Sequence, residues 1–346
     1  MRFNAWLILL FLTVVPFFYG DAGSEENLTF LPGSTVIDNN EKVLAWHFVL
    51  RFVSLEHARW MVDRAHDVGF NTVVVAVTDG VRLDSAPWEP QQSAWKKEDF
   101  NTWVAYARSK GMDVIPEIKL LSHQEKFFQN KYPTLMYNTK TYDPRQDETY
   151  RQVFPLLDEI IALIQPSAFH IGHDEVTGFR NSSKSKWSKS SEPGLPAELF
   201  LMDVLRVHEY LKNKKIETWM WGDMLIDAAE FPTMLMKHFH GGASGYGKAL
   251  RDKLPRDIVI CDWHYSDDQN EFPSLAALVK EGFRVIGVTW KKEKTIRNFS
   301  RYAAQHGAYG MMATTWFHVQ RKEWDVVENT INISGKIFIE DFTGAE

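Results

Sequence analysis

Cysteine is almost absent from this chain. Cys261 stands alone among 346 residues, so no intrachain disulfide can form and no CxxC redox pair or cysteine zinc site is present. The fold must therefore rest on an ordinary apolar core, which a chain of this length with 45% hydrophobic residues can supply. Positive charge is not in excess either. With 39 Lys and Arg against 45 Asp and Glu, the formal net charge is -6, leaving no basic field for nucleic acid. No P-loop occurs, and no GxGxxG follows the first strand-like run, which removes the usual nucleotide cradles. Long apolar runs are confined to the start. There an early Arg2 precedes a run that stops at Gly20, with Ala22 and Gly23 as small residues for cleavage. This pattern reads as a signal peptide over residues 1–22, ahead of a polar leader over 23–42. An exported protein, periplasmic or secreted and without a membrane span after cleavage, is the expectation; an uncleaved N-terminal anchor is the rival.

From residue 43 onward, short β-branched runs alternate with amphipathic stretches. Strands are predicted at 43–51, 71–79, 112–118, 167–173, 216–221, 257–263, 283–290 and 307–316. Helices are predicted at 54–69, 97–111, 147–164 (with a break near Pro155), 197–214, 273–281, 293–306 and 323–336. Eight strands alternating with helices make a (β/α)8 TIM barrel the expected fold, as a single catalytic domain over 43–340. A doubly wound open sheet is the runner-up. The longer connections, 119–146, 177–196 and 222–256, all follow strands and so fall on the face where barrels build active sites.

The predicted strand ends carry a consistent chemistry. Arg51, Asp79, Glu117 and the Asp174–Glu175 pair stand there with Asp223, Asp262 and Tyr265. Trp221, Trp263, Trp290 and Trp316 end four strands, and His123 and His318 lie just beyond two of them. Indole faces suit the C–H faces of sugars, while carboxylates, arginine and histidine suit sugar hydroxyls. Ordinary retaining glycosidases place two carboxyl groups roughly 5–5.5 Å apart across the sugar. Adjacent residues on a strand point to opposite faces, so Asp174 and Glu175 are expected to diverge. Such a pair fits better where the substrate provides its own nucleophile, as a 2-acetamido group does by closing to an oxazolinium ion.

The segment "HIGHDE" (170–175) closely resembles the His-x-Gly-x-Asp-Glu signature of family 20 glycoside hydrolases, the β-N-acetylhexosaminidases. "VIPEIKLLSH" (114–123), "WMWGDM" (219–224), "WHYSD" (263–267) and "TTW" (314–316) resemble further segments of that family in the same order. The resemblance implies that Asp174 orients the acetamido group and Glu175 is general acid, then base. It further implies that Tyr265 holds the acetamido oxygen, that Trp221, Trp290 and Trp316 wall its methyl group, and that Arg51 and Asp267 hold sugar hydroxyls. His123 and Asp79 would support the acidic pair, and His318 would stand where a glutamate often binds outer hydroxyls. No metal or organic cofactor is implied. The implied partner is an N-acetylhexosamine-containing oligosaccharide or glycoconjugate. Departures from the family pattern are Lys119 for aspartate, Leu121–Ser122 for Pro-Gly, and His173 for the small residue before Asp174. No counterpart to the small β-domain that often precedes the barrel is expected. Two other classes stay open: a carbohydrate-binding protein without catalysis on the same barrel, and a glycosidase of another type with Asp223 or Asp262 as nucleophile.

Overall fold

Each predicted strand becomes a strand, and all eight close on themselves. The computed structural model describes residues 42–176, 194–227, 230–234 and 244–344. Residues 1–41, with the expected signal peptide and most of the leader, lie outside the described residues, as do 177–193 of one long loop and 228–229 and 235–243 of another. The strands are β1 (Val43–Val49), β2 (Thr72–Ala76), β3 (Asp113–Leu120), β4 (Ala168–Gly172), β5 (Glu217–Trp221), β6 (Val259–Trp263), β7 (Arg284–Thr289) and β8 (Gly310–Thr314). They form a closed parallel barrel in chain order, sealed by β1 against β8 with His47 opposite Thr314. The open-sheet alternative is excluded by that closure.

The helices are α1 (Leu55–Asp67), α2 (Lys97–Ser109), α3 (Phe128–Lys131), α4 (Asp147–Ile164), α5 (Ala197–Asn213), α6 (Tyr246–Arg251), α7 (Pro273–Lys280), α8 (Glu293–Gln305), α9 (Trp316–Gln320) and α10 (Trp324–Thr343). Short α3, α6 and α9 were not predicted, since four to six residues give too little periodicity to see. The expected break at Pro155 does not occur: α4 runs through it. Pro155 is on the solvent-exposed side of α4, where water can satisfy the carbonyl that the missing N–H leaves behind.

Alternation along the strands sorts side chains into two cores. On β1, Leu44, Trp46 and Phe48 point outward into the layer between barrel and helices. Val43 and Ala45 point inward, to a cluster with Ile115, Ala168, Trp219, Val259 and Met312. The residues next in the inward series, near the strands' C-terminal ends, are His47, Glu117, His170 and Trp221, which are the floor of the site described below. None of the described helices is long and apolar enough to cross a membrane.

Candidate active site

At the C-terminal end of the barrel the inward residues change from aliphatic to polar. Glu117, fully buried, has Oε2 2.5 Å from His47 Nε2, and its Oε1 accepts the Trp221 indole N–H at 3.2 Å. Burial pushes the Glu117 carboxyl up, but His47 outweighs it and the group is held down at about 2. His170, also buried, is pushed down to about 4 by desolvation. This floor fixes Trp221 in place. Glu117→Gln is therefore expected to cost about 1.5–3 kcal/mol, the usual worth of a hydrogen bond to a charged group. The sign follows from the depressed carboxyl: its stabilisation is complete above pH 4.5 and is lost as pH falls toward about 2. Urea midpoints measured through that window should fall less steeply for Glu117→Gln than for the native protein.

Above the floor, β3 and β4 come together out of step. Glu117 pairs with His170 but Leu120 with Gly172, so β3 carries one extra residue. Gly172 has φ +75°, and a Cβ there would lie 2.9 Å from Lys119 Cα, so the bulge passes over a residue that must be glycine. The left-handed conformation continues at His173 (φ +69°) and Glu175 (φ +48°). Strand alternation has ended by this point, which corrects the expectation that Asp174 and Glu175 diverge. Both reach the same imidazole: His123 Nε2 is 3.2 Å from Asp174 Oδ2 and 3.7 Å from Glu175 Oε2.

The two acids nevertheless differ in charge preference. Burial favours the neutral form of Asp174, but the Lys119 ammonium at 3.5 Å and His123 outweigh it and hold the carboxyl below its ordinary value. Glu175 is raised, first by burial and then by the negative charge of Asp174. Buried Asp223 lies beneath, accepting the Glu175 backbone N–H at 2.7 Å and the Trp263 indole N–H at 3.3 Å, and is raised by burial and by Asp174. Asp174 Oδ1 is buried with no hydrogen-bond partner among the described residues, an acceptor left for a donor from outside the protein.

These groups open into a cavity of about 700 Å³. Of the predicted site residues, Arg51, Asp79, His123, Asp174, Glu175, Trp221, Tyr265, Trp290 and Trp316 line it. Arg51 Nη2 is 3.0 Å from Asp79 Oδ2. Trp221 and Trp316 lie 5.7 Å apart at 44°, and Tyr265 stands edge-on to Trp290 at 5.8 Å and to Trp316 at 6.3 Å. Tyr265 also stacks on Trp263 at 4.9 Å, and burial pushes its hydroxyl well up, so it remains a neutral donor.

Two predicted residues do not line the cavity. Asp267 is fully buried, with Oδ2 2.5 Å from His264 Nδ1 in a cluster that includes Asp262 and Ser274, so it cannot hold a sugar hydroxyl. His318 is buried on α9, bonded to Glu323 and packed behind Trp290. Asp262 shares the Asp267 cluster, and Asp223 is covered by the Glu175 backbone and Trp263. Neither alternative nucleophile lines the cavity. Residues that sequence reasoning passed over are His47 and His170, the floor, and Phe317 and Gln320, which line the walls with Trp263. A polar residue on the inward face of an apolar strand, as His47 is after Val43 and Ala45, was the signal that could have found the floor.

His123, Asp174 and Glu175 bring ligand-type atoms within 4.8 Å of one another. Lys119 sits against that cluster, its ammonium 3.5 Å from Asp174 Oδ2 and 5.2 Å from the Trp316 ring centre, and its positive charge opposes a metal cation there.

Residues 77–330 match the glycosyl hydrolase family 20 catalytic domain. A lacto-N-biosidase of Bifidobacterium bifidum is 26% identical over 244 residues, covering 67% of this chain and 19% of the relative. A beta-hexosaminidase of Vibrio furnissii is 28% identical over 278 residues, covering 68% of this chain and 40% of the relative. The chain thus spans well under half the length of either. Among solved structures, a beta-N-acetylhexosaminidase from Bacteroides fragilis superposes with a TM-score of 0.61 at 18% identity, over 88% of this chain and 69% of that one. An exo beta-N-acetylglucosaminidase from Vibrio harveyi in complex with N-acetylglucosamine gives 0.59 at 16% identity, over 86% and 54%. At such identities the structures show a shared fold.

Proposed function

Because the chain belongs to glycosyl hydrolase family 20, we propose that it releases non-reducing-end β-linked N-acetylhexosamine with retention, using the substrate's own acetamido group as nucleophile. One observation carries the mechanism: Asp174 and Glu175 meet at a single imidazole, at 3.2 and 3.7 Å, on one side of the cavity. Two carboxylates so placed cannot act from opposite faces of a sugar, as a nucleophile and acid must. The only other lining carboxylate among the described residues, Asp79, is tied to Arg51. The nucleophile then has to come from the substrate.

The residues fit named steps. Asp174 Oδ1, buried and unpaired, takes the acetamido N–H and turns its carbonyl oxygen toward the anomeric carbon; its charge stabilises the oxazolinium that forms. Tyr265 donates to the same carbonyl oxygen, and Trp221, Trp290 and Trp316 enclose the methyl group. Glu175, kept protonated by burial and by Asp174, gives its proton to the leaving oxygen as the glycosidic bond breaks. The resulting Glu175 carboxylate then takes a proton from the water that opens the oxazolinium. Arg51 serves the sugar hydroxyls, and Asp79, expected to support the acidic pair, is instead paired with Arg51 at 3.0 Å. The partner is a glycan carrying N-acetylhexosamine, and the N-terminal apolar run supports export of the protein. The test is proton NMR of the first product anomer from a β-N-acetylglucosaminide: β supports the proposal and α overturns it.

Lys119 sets the working range. It lowers both acids by charge, so Lys119→Met is expected to move the alkaline limb of the pH–kcat profile, which follows loss of the Glu175 proton, to higher pH. A limb that stays in place would remove Lys119 from this role.

A further inference from the structure

The departure at His173 leads to a second group of residues that the reaction itself does not use. His173 is fully buried, and its Nε2 donates to Asp203 Oδ2 at 2.7 Å, while Nδ1 lies 3.0 Å from the Ile171 carbonyl. Asp203, inside α5 and also fully buried, accepts two further hydrogen bonds, from Tyr142 Oη at 3.0 Å and Tyr150 Oη at 2.6 Å. Tyr142 in turn donates its backbone N–H to the Leu121 carbonyl at 3.1 Å, two residues before His123. The contacts close a ring. From Asp203 one arm runs through His173 to Asp174, the other through Tyr142 and Leu121 to His123, and the arms meet where His123 touches Asp174 at 3.2 Å.

We propose that Asp203 is a positioning residue for the acidic pair, holding the β4 turn through His173 and the β3 loop through Tyr142, so that Asp174 and Glu175 keep their distances to His123. The inference rests on the reading of those two acids as the reacting pair. Its physical basis is the backbone at residue 173. A left-handed φ of +69° is strained for histidine and free for glycine, so local preference does not hold this side chain there. The buried contact with Asp203 does. Phe200, one turn before Asp203 on α5, packs edge-on against the His173 ring at 5.6 Å and supports it in that place.

The variants are Asp203→Asn, His173→Gly and His173→Gln, with Tyr150→Phe as control, assayed for kcat and KM on a nitrophenyl β-N-acetylglucosaminide alongside thermal melting. Misplacing a reacting group by about 1 Å costs on the order of 100-fold, so kcat should fall ~10–100-fold in Asp203→Asn and His173→Gly with KM little changed. His173→Gln keeps an N–H for Asp203 and should recover much of the loss. Tyr150→Phe removes a bond to the same carboxylate on the side leading away from the site, and should leave kcat near the native value. A purely structural role would instead lower melting temperature in all four without this kcat pattern, and native kcat in both Asp203→Asn and His173→Gly overturns the proposal. His173→Gly relieves backbone strain, so it remains informative if Asp203→Asn fails to fold. If the native protein turns over no such glycoside, the functional reading fails separately, and a crystal structure of His173→Gly decides this one. The His123–Asp174 contact should then open past hydrogen-bond distance; retention of it overturns the inference.

Discussion

Glu175→Gln is expected to lower kcat about 10²–10⁴-fold on natural glycans, the usual contribution of a positioned general acid. The amide keeps the shape of the carboxyl but has no proton to give. The loss should depend on the leaving group. A nitrophenolate departs with little protonation, so the first step on an aryl glycoside is nearly spared, whereas an alkyl leaving group suffers fully. The second step still needs a base, and added azide, which needs none, should restore turnover by trapping the oxazolinium. The pH profile changes too. Burial and Asp174 raise the native Glu175 carboxyl above 4.5, so the acid stays protonated beyond the ordinary range and activity falls on the alkaline side as that proton is lost. In Glu175→Gln this limb disappears. An unchanged limb would place the acid elsewhere, and uniform loss across leaving groups would make Glu175 a binding residue.

Asp174→Asn carries the second large effect. The carboxylate stands against the Lys119 ammonium at 3.5 Å and the His123 imidazole at 3.2 Å, which hold it below its ordinary value although it is buried. Asparagine removes the charge that stabilises an oxazolinium and can present an N–H where an acceptor is needed. Loss of one preorganised electrostatic contact to a developing charge costs roughly 10²–10³ in kcat. An additional mark separates this role from simple binding. A thiazoline analogue, which resembles the cyclised intermediate, should lose affinity in Asp174→Asn by far more than the product N-acetylhexosamine does. Equal losses for the two would mean that Asp174 binds the sugar without serving the cyclisation.

Much of this was legible in the sequence because barrels convert a one-dimensional pattern into a place. A strand's C-terminal end is one face of the molecule, so Arg51, Asp79, Asp174, Trp221, Trp290 and Trp316, far apart in the chain, could be assigned to one cavity from strand positions alone. The reading went astray where backbone geometry departs from the period. Asp174 and Glu175 follow Gly172 and His173, both at positive φ, so the two-residue alternation no longer applied and the acids converged. Asp267 was placed by its position after Tyr265, but His264, the residue between Trp263 and Tyr265, turns into the wall and takes the aspartate with it. His318 follows the same logic at the start of α9, where a helical turn, invisible at five residues, carries it behind Trp290. His47 was hidden for the opposite reason. It lies inside a convincing apolar strand, and only its parity with Val43 and Ala45 marks it as inward-facing.

Whether the acetamido group is the nucleophile is decided by turnover of nitrophenyl β-N-acetylglucosaminide beside the same glycoside with a 2-hydroxyl in place of the acetamido group. Nitrophenol should be released from the acetamido sugar alone. Comparable release from both would contradict it, because the carboxylates at His123 would then be working with a nucleophile supplied by the protein.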